Sequence, residues 1–304
     1  MSPQKTPKKM NVLLAVDGSE HSYAAARLVR DLRLPGGSTI TVLAVIVPRN
    51  ASDHAGLEGV LQGAKGLLAG TDSLVRTELL TGYPAEQISQ YAEEHTPDLI
   101  VLGAKGRRAT LGILLGGVVQ DIVEYASDPV LVVRAPYEGL RQVLLVIDRS
   151  PHSQRALEYL ERLPLPEGTG VTAIHVLPPL PSPAMIARSW PVGSEVMAPL
   201  PSFETEQVFA QQAEEEERHG RELLEQTLEH LQAAGIDASK VLLRGDAATE
   251  ILEHVKAHQV DLIVAGSRGL SQMKRLLLGS LSRKLVHYAS CSVLVVKGGS
   301  HGLD

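Results

Sequence analysis

Gly266, Gly269, Gly279 and Ser280 are spaced G-x2-G-x9-G-S within "AGSRGLSQMKRLLLGS". A missing β-carbon leaves the main-chain amides bare and allows positive φ, so a segment of this kind can approach a ligand closely. The stretch after Gly279, "LSRKLVHYA", has helical periodicity. A helix start offers unpaired N–H groups and a partial positive charge. Ser280 either caps that helix or donates its hydroxyl to a phosphate oxygen. Two readings stand side by side: a phosphate cradle split between a glycine turn and a helix N-terminus, or glycines that only shape turns beside a capping serine. The string is neither a Walker loop, which needs GKS or GKT, nor the dinucleotide fingerprint, which would follow the first strand.

The elements that carry these residues occur twice. "NVLLAVDGS" from Asn11 returns as "QVLLVIDRS" from Gln142, displaced by 131 residues, whereas "DLIVLGAKG" from Asp98 returns as "DLIVAGSRG" from Asp261, displaced by 163. "DPVLVVR" from Asp128 and "CSVLVVK" from Cys291 share the second displacement, so the second copy holds an insertion of 32 residues. Short Val/Ile/Leu runs bounded by turn residues read as buried strands, and helix-period stretches such as "EHSYAAARLVRDL" lie between them. Apolar strands alternating with helices predict a parallel sheet covered on both faces. Predicted strands are 11–16, 40–46, 75–80, 98–103 and 129–134, then 142–147, 171–177, 240–244, 261–266 and 292–297. The expected architecture is α/β, two tandem doubly wound five-stranded domains of Rossmann-like type, over 1–137 and 138–304. The connector "APYEGL" is too short to let them roam independently. Ligands in such sheets sit outside the carboxyl ends of strands. Asp17 and Asp148 end the first strands and Gly103 and Gly266 the fourth, so all four fall on that edge.

The string G-x2-G-x9-G-[ST], between a "DLIV-G" strand and a final "VLVV" strand, resembles the nucleotide motif of the universal stress protein family. Copy two matches fully and adds "VLLVIDRS", "IHVLP" and "SVLVVK"; copy one matches through "VLLAVDGSE", "PDLIVLGAKG" and "DPVLVVR". The resemblance covers nearly the whole chain except the N-terminal tail and the insertion. It implies a stress-response module that binds ATP, often with a divalent ion such as Mg2+ or Mn2+ on the phosphates. The first-strand aspartate would lie near the ribose, the backbone of the second-strand valine against adenine, and the glycines and following residues around the phosphates. Carried onto this chain, copy two supplies Asp148, Val176, Gly266, Gly269, Gly279, Ser280 and Leu281. Copy one supplies Asp17, Val45, Gly103, Gly106, Gly116, Gly117 and Val118. Copy one departs at Gly117, where the family has Ser or Thr; its amide survives but the hydroxyl does not. The second copy is therefore expected to hold ATP and the first to bind more weakly or not at all. AMP or cyclic AMP in place of ATP stays open, as does a nucleotide-free interaction scaffold. In the family, domains pair through their final strands. A tandem chain can resemble that dimer internally, with 129–134 meeting 292–297, and a further homodimer or another protein partner stays open.

Other residues have simpler readings. Asp17 and Asp148 could instead cap strand ends, Ser19 and Ser150 cap helices, and His254 and His258, four apart, lie on a solvated helix face rather than in a metal pair. His175 reads as a satisfied, partly buried histidine and Cys291 as inert packing. Lys105, Arg107 and Arg108 in copy one, and Arg268, Lys274, Arg275 and Lys284 in copy two, cluster near the glycines and either neutralise phosphate or form ordinary surface. "EEEERHGRE" reads as a solvated helix face. The insertion begins with "PPLPSPAMIARSWPVGSEVMAPLP", whose seven prolines cannot sustain a helix. A long helix from about Phe203 to Ala234 follows, and the whole segment at about 178–234 should emerge beside the nucleotide edge of copy two, as a lid, a docking flap or a loose loop.

Composition removes several classes. A net charge of −6 argues against broad nucleic-acid binding. One cysteine rules out a disulfide framework and points to a reducing compartment. No window approaches the roughly 18 apolar residues of a membrane span. The opening "MSPQKTPKKM" lacks the apolar core of a signal peptide and reads as a frayed tail. A soluble cytoplasmic protein is expected. No Ser–His–Asp order, metal cluster or base poised on water is visible, so no catalytic residue is assigned, and any ATP hydrolysis should be slow and incidental.

Overall fold

Strand by strand, burial follows the apolar runs. The computed structural model describes residues 8–47, 54–107, 114–180, 203–269 and 278–298. The first half runs β1 (Asn11–Ala15), α1 (Glu20–Asp31), β2 (Thr39–Ile46), α2 (His54–Leu67), β3 (Leu74–Thr81), α3 (Pro84–His95), β4 (Leu99–Gly103), α4 (Gly117–Tyr125) and β5 (Val130–Val133). The second runs β6 (Gln142–Val146), α5 (Pro151–Leu160), β7 (Gly170–Leu177), α6 (Phe203–Ala233), β8 (Ala238–Arg244), α7 (Ala247–Ala257), β9 (Leu262–Gly266), α8 (Ser280–Tyr288) and β10 (Ser292–Val296). Each half is therefore a doubly wound α/β unit, and the predicted strands fall within two residues of those formed.

Ten strands form one sheet in the order β3-β2-β1-β4-β5-β10-β9-β6-β7-β8. Within each half neighbouring strands run parallel, as short strand–helix–strand crossovers require. At the centre β5 and β10 run antiparallel, with Leu131 opposite Leu294. These two strands are buried throughout, whereas edge strand β3 alternates between exposed and half-buried positions. One apolar layer, under α1, α2, α5 and α6, joins residues of both halves, and a second under α3, α4, α7 and α8 does the same. Each fully buried Val or Leu stabilises the fold by roughly 1.5–3 kcal/mol, so the halves are not joined by a loose hinge. Polar ties cross the join too: the Tyr159 hydroxyl donates to the Asp98 carbonyl at 2.9 Å, and the Arg33 amide donates to the Pro164 carbonyl at 2.9 Å.

Helix starts follow the sequence signals. Ser19 caps α1 by accepting from the Ser22 amide at 3.1 Å, and Ser150 caps α5 in the same way through Ser153 at 3.1 Å. The long α6 spans 31 residues against 14 for α2. Arg244, the last residue of β8, donates to Glu216 at 2.7 Å and to the Ala213 carbonyl at 3.2 Å. Those contacts place the middle of α6 level with the carboxyl edge of the sheet. The ten residues before Ala213 project beyond that edge by roughly 15 Å at 1.5 Å per residue. "EEEERHGRE" lies on α6 as an ion-paired face, with Arg218 on Glu222 at 3.0 Å and Arg221 on Glu217 at 3.4 Å. Most of the proline-rich stretch, with Trp190, lies outside the described residues.

Candidate functional site

β1 and β4 are neighbours whose following helices leave on opposite faces, so a crevice opens at their carboxyl ends. In the first half that crevice is a cavity of about 660 Å3. Its lining includes all seven copy-one residues that the resemblance supplies: Asp17, Val45, Gly103, Gly106, Gly116, Gly117 and Val118. At one end stand apolar side chains that the motif did not mark, among them Ile46, Leu57, Pro84 and Ile88. At the other stand Lys105, Arg107 and the start of α4. The cavity thus has an apolar end and a cationic, amide-rich end.

Main-chain bonds build the cationic end. The Gly116 amide donates to the Ala104 carbonyl at 2.9 Å, tying the start of α4 to the turn after β4. Asp17 accepts from the Ser19 amide at 3.0 Å through Oδ1 and from the Arg107 amide at 2.8 Å through Oδ2. Its carboxylate therefore joins the start of α1 to the turn after β4 at the cavity rim. Gly116 is the N-cap of α4 and no side chain among the described residues caps that helix, so the first-turn amides keep their donor capacity for an anion.

The second half repeats this geometry where it is described. The Gly279 amide donates to the Ser267 carbonyl at 2.7 Å, and Asp148 accepts from the Ser150 amide at 2.9 Å. A β-carbon on Gly269 would lie 2.9 Å from the Asp148 carboxylate, and one on Gly279 would lie 3.6 Å from the Gly269 amide nitrogen. Asp148, Gly269 and Gly279 are therefore brought together. Val176 lies in β7, next to the strand's last residue, and Leu281 is the second residue of α8. Residues 270–277, with Lys274 and Arg275, lie outside the described residues, as does Arg108.

Two expectations are corrected. None of Gly103, Gly106, Gly116, Gly117, Gly266, Gly269 and Gly279 has positive φ. The reason for several of these glycines is close approach instead. A β-carbon on Gly266 would lie 2.5 Å from the His152 carbonyl carbon and 2.8 Å from the Ser153 amide, in the first turn of α5. Gly103 meets the first turn of α1 in the same way, 2.6 Å from the Ser22 amide. The bare backbone at these two positions seats a helix on a strand. The second correction concerns Ser280, which does not cap α8. Gly279 is the N-cap, where a β-carbon would lie 3.1 Å from Arg268 Cα, and Ser280 is the first helical residue. At Gly117, the counterpart of Ser280, a β-carbon would meet nothing within 4 Å among the described residues, so no packing against them demands a glycine there.

His175 Nδ1 pairs with the Ile147 carbonyl at 2.8 Å, which satisfies it. His254 and His258 stack on one helix with ring centroids 3.9 Å apart, and among the described residues no group of three His, Cys, Asp or Glu could hold a metal ion. Lys284 faces Asp246 at 3.8 Å, a mostly exposed pair. Burial pushes the Cys291 thiol up to about 12. Sequence patterns did not mark His21 and His152, although the two share the 131-residue displacement and lie in the first turns of α1 and α5. His21 Nδ1 accepts from the Ala135 amide at 2.8 Å; burial, then nearby Lys105, lowers its pKa. His152 is shifted down by burial, then by Arg155.

The fold and its motifs have known relatives. The profile of the Universal stress protein family matches residues 9–134 and again 139–297. The chain belongs to the universal stress protein family, as a tandem member. A universal stress protein of Mycolicibacterium smegmatis is 27% identical over 310 residues, covering 94% of this chain and 96% of its own. Universal stress protein YxiE of Bacillus subtilis is 31% identical over 156 residues, 51% of this chain and 98% of its own. In fold, the chain is similar to the crystal structure of a universal stress protein from Archaeoglobus fulgidus, with a TM-score of 0.62 at 23% identity, covering 95% of this chain and 98% of that one. No helix among the described residues is long and apolar enough to cross a membrane.

Proposed function

We propose that this protein binds ATP at the carboxyl edge of its sheet and acts as a nucleotide-responsive stress module. The observation that carries the reading is the cavity of about 660 Å3 in the first half, lined by all seven motif-derived residues. Sites for drug-sized ligands run to roughly 300–1,000 Å3. The apolar end, with Val45, Leu57 and Ile88, suits a base. The α4 amides with Lys105 and Arg107 suit a polyphosphate. A divalent ion would then be carried on the phosphates rather than by a ligand cluster of the protein.

The second half is the tighter site in this reading, because Ser280 keeps a hydroxyl that Gly117 lacks. One hydrogen bond to a charged group is worth about 1.5–3 kcal/mol, roughly ten- to hundredfold in affinity. The experiment is nucleotide extraction from purified protein with mass-spectrometric identification, followed by calorimetric titration of ATP, AMP and cyclic AMP. ATP in the extract and two unequal sites per chain support the reading. Two equal sites remove the asymmetry, and tighter AMP or cyclic AMP replaces the ligand. A second reading, a nucleotide-free scaffold for a protein partner, draws on Gly103 and Gly266, which helix packing alone explains. A blank extract with no heat of binding favours it.

A further inference from the structure

Arg134 and Lys297 follow the last strand of their own halves, yet each serves a helix of the other half. Lys297 Nζ donates to the carbonyls of Val123 at 2.5 Å and Glu124 at 3.2 Å, the closing turn of α4. Arg134 Nη2 donates to the carbonyls of Val286 at 2.9 Å and His287 at 3.1 Å, the closing turn of α8. The last carbonyls of a helix lack intrahelical partners and carry partial negative charge, so a cation there steadies the helix. The other ends of α4 and α8 begin at Gly116-Gly117 and Gly279-Ser280. Each candidate phosphate-facing helix is thus held at its tail by a cation from the opposite domain.

Arg134 does one thing more. Its Nη1 donates to the Leu114 carbonyl at 3.1 Å, two residues before Gly116. One planar guanidinium therefore joins the segment that enters the first domain's candidate phosphate turn to the tail of the second domain's candidate phosphate helix. Among the described residues its Nε is buried without a hydrogen-bond partner, and the contacts that hold the group are the carbonyls at its other two nitrogens. Arginine stays charged under all ordinary conditions and its fork is rigid, so movement of one set of carbonyls is passed to the other.

We propose that Arg134, with Lys297 as its reciprocal, links the two sites, so that ligand binding in one domain alters the phosphate helix of the other. This rests on the nucleotide reading given above. Arg134 is a positioning residue and touches no ligand.

The test confines ATP to one domain. Ser280→Asp places a carboxylate in the first turn of α8, which suits a helix start but repels a triphosphate. In that chain, ATP is expected to slow amide hydrogen exchange at residues 117–120 and also, across the join, at 285–289 by about fivefold or more, the low end of ordinary coupling. Adding Arg134→Met should abolish the response at 285–289 and leave that at 117–120. Arg134→Lys, the residue type used at the equivalent position of the second domain, should restore part of it and shows whether the Met chain is simply misfolded. In the mirror chain, Gly117→Asp, ATP in the second domain should slow exchange at 122–126. A silent α8 when ATP occupies the first domain, or a response undiminished by Arg134→Met, overturns the linkage alone. Absence of ATP-dependent protection in every chain overturns the nucleotide reading, and the linkage with it.

Discussion

Replacing Lys297 by Met should change how stability depends on pH, and the size of the change can be worked out. Lys297 is buried, with 7% of the residue exposed, and burial lowers the pKa of its ammonium from 10.5 to about 8. Between those values the unfolded chain holds the proton and the folded chain has released it. Stability therefore rises with pH across this window, and the cost of the buried charge is fully felt below pH 8. From pH 7 to pH 9.5, integration over the two pKa values gives a gain of about 2 kcal/mol from this residue. Cys291 works in the opposite direction at higher pH, since its thiol is held protonated to about 12, but it is present in both chains and cancels from their difference. Urea unfolding of the full chain and of Lys297→Met, at pH 7 and pH 9.5 with the same slope, reads the quantity directly. The gap between wild type and variant should move by about 2 kcal/mol in favour of wild type as pH rises. A gap constant to within about 0.5 kcal/mol, near the error of extrapolation, would rule out the lowered pKa. It would mean that the ammonium keeps its solvent-like proton affinity and that water reaches the tail of α4.

Further outcomes follow from the same contacts. Gly266→Ala should destabilise the chain by roughly 2 kcal/mol or more, because its β-carbon would run into the backbone of α5 at His152 and Ser153. Gly117→Ala should lie between neutral and about 1 kcal/mol stabilising in a thermal melt, since no described residue stands within 4 Å of its β-carbon. Gly117→Ser should tighten ATP at the first domain by roughly tenfold in calorimetry, and an unchanged affinity would count against a hydroxyl contact. Tyr159→Phe should cost about 1 kcal/mol of unfolding free energy by removing the bond to the Asp98 carbonyl.

Much of this molecule is legible in its order of residues. The runs "NVLLA", "LIVLG" and "LIVAG" form buried strands, since a fully apolar run of that length can be satisfied only between two layers of helices. The repeated landmarks mark two matching halves, and Ser19 and Ser150 announce their helices through hydroxyls that reach an amide three residues on. Such signals are local, written at spacings of two, three or four residues, and the chain obeys them wherever packing does not object.

Contacts between residues far apart in sequence set the rest. Gly103 and Gly266 fall on the ligand edge in the sequence, and the first turn of α1 or α5 lying against a strand end leaves no room there for a β-carbon. Ser280 reads either as a cap or as a phosphate donor, and the fold places Gly279 at the cap, with Arg268 too close for a β-carbon there, and Ser280 as the first helical residue. Leu57, Pro84 and Ile88 carry no motif and become cavity wall only because α2 and α3 close over β2. Arg134 and Lys297 look like the polar ends of two strands, and only the antiparallel meeting of β5 and β10 carries each to the other domain's helix. Periodicity says which face of an element is apolar. Which backbone comes within 3 Å of another is set by how whole elements stack, and no short-range pattern contains that.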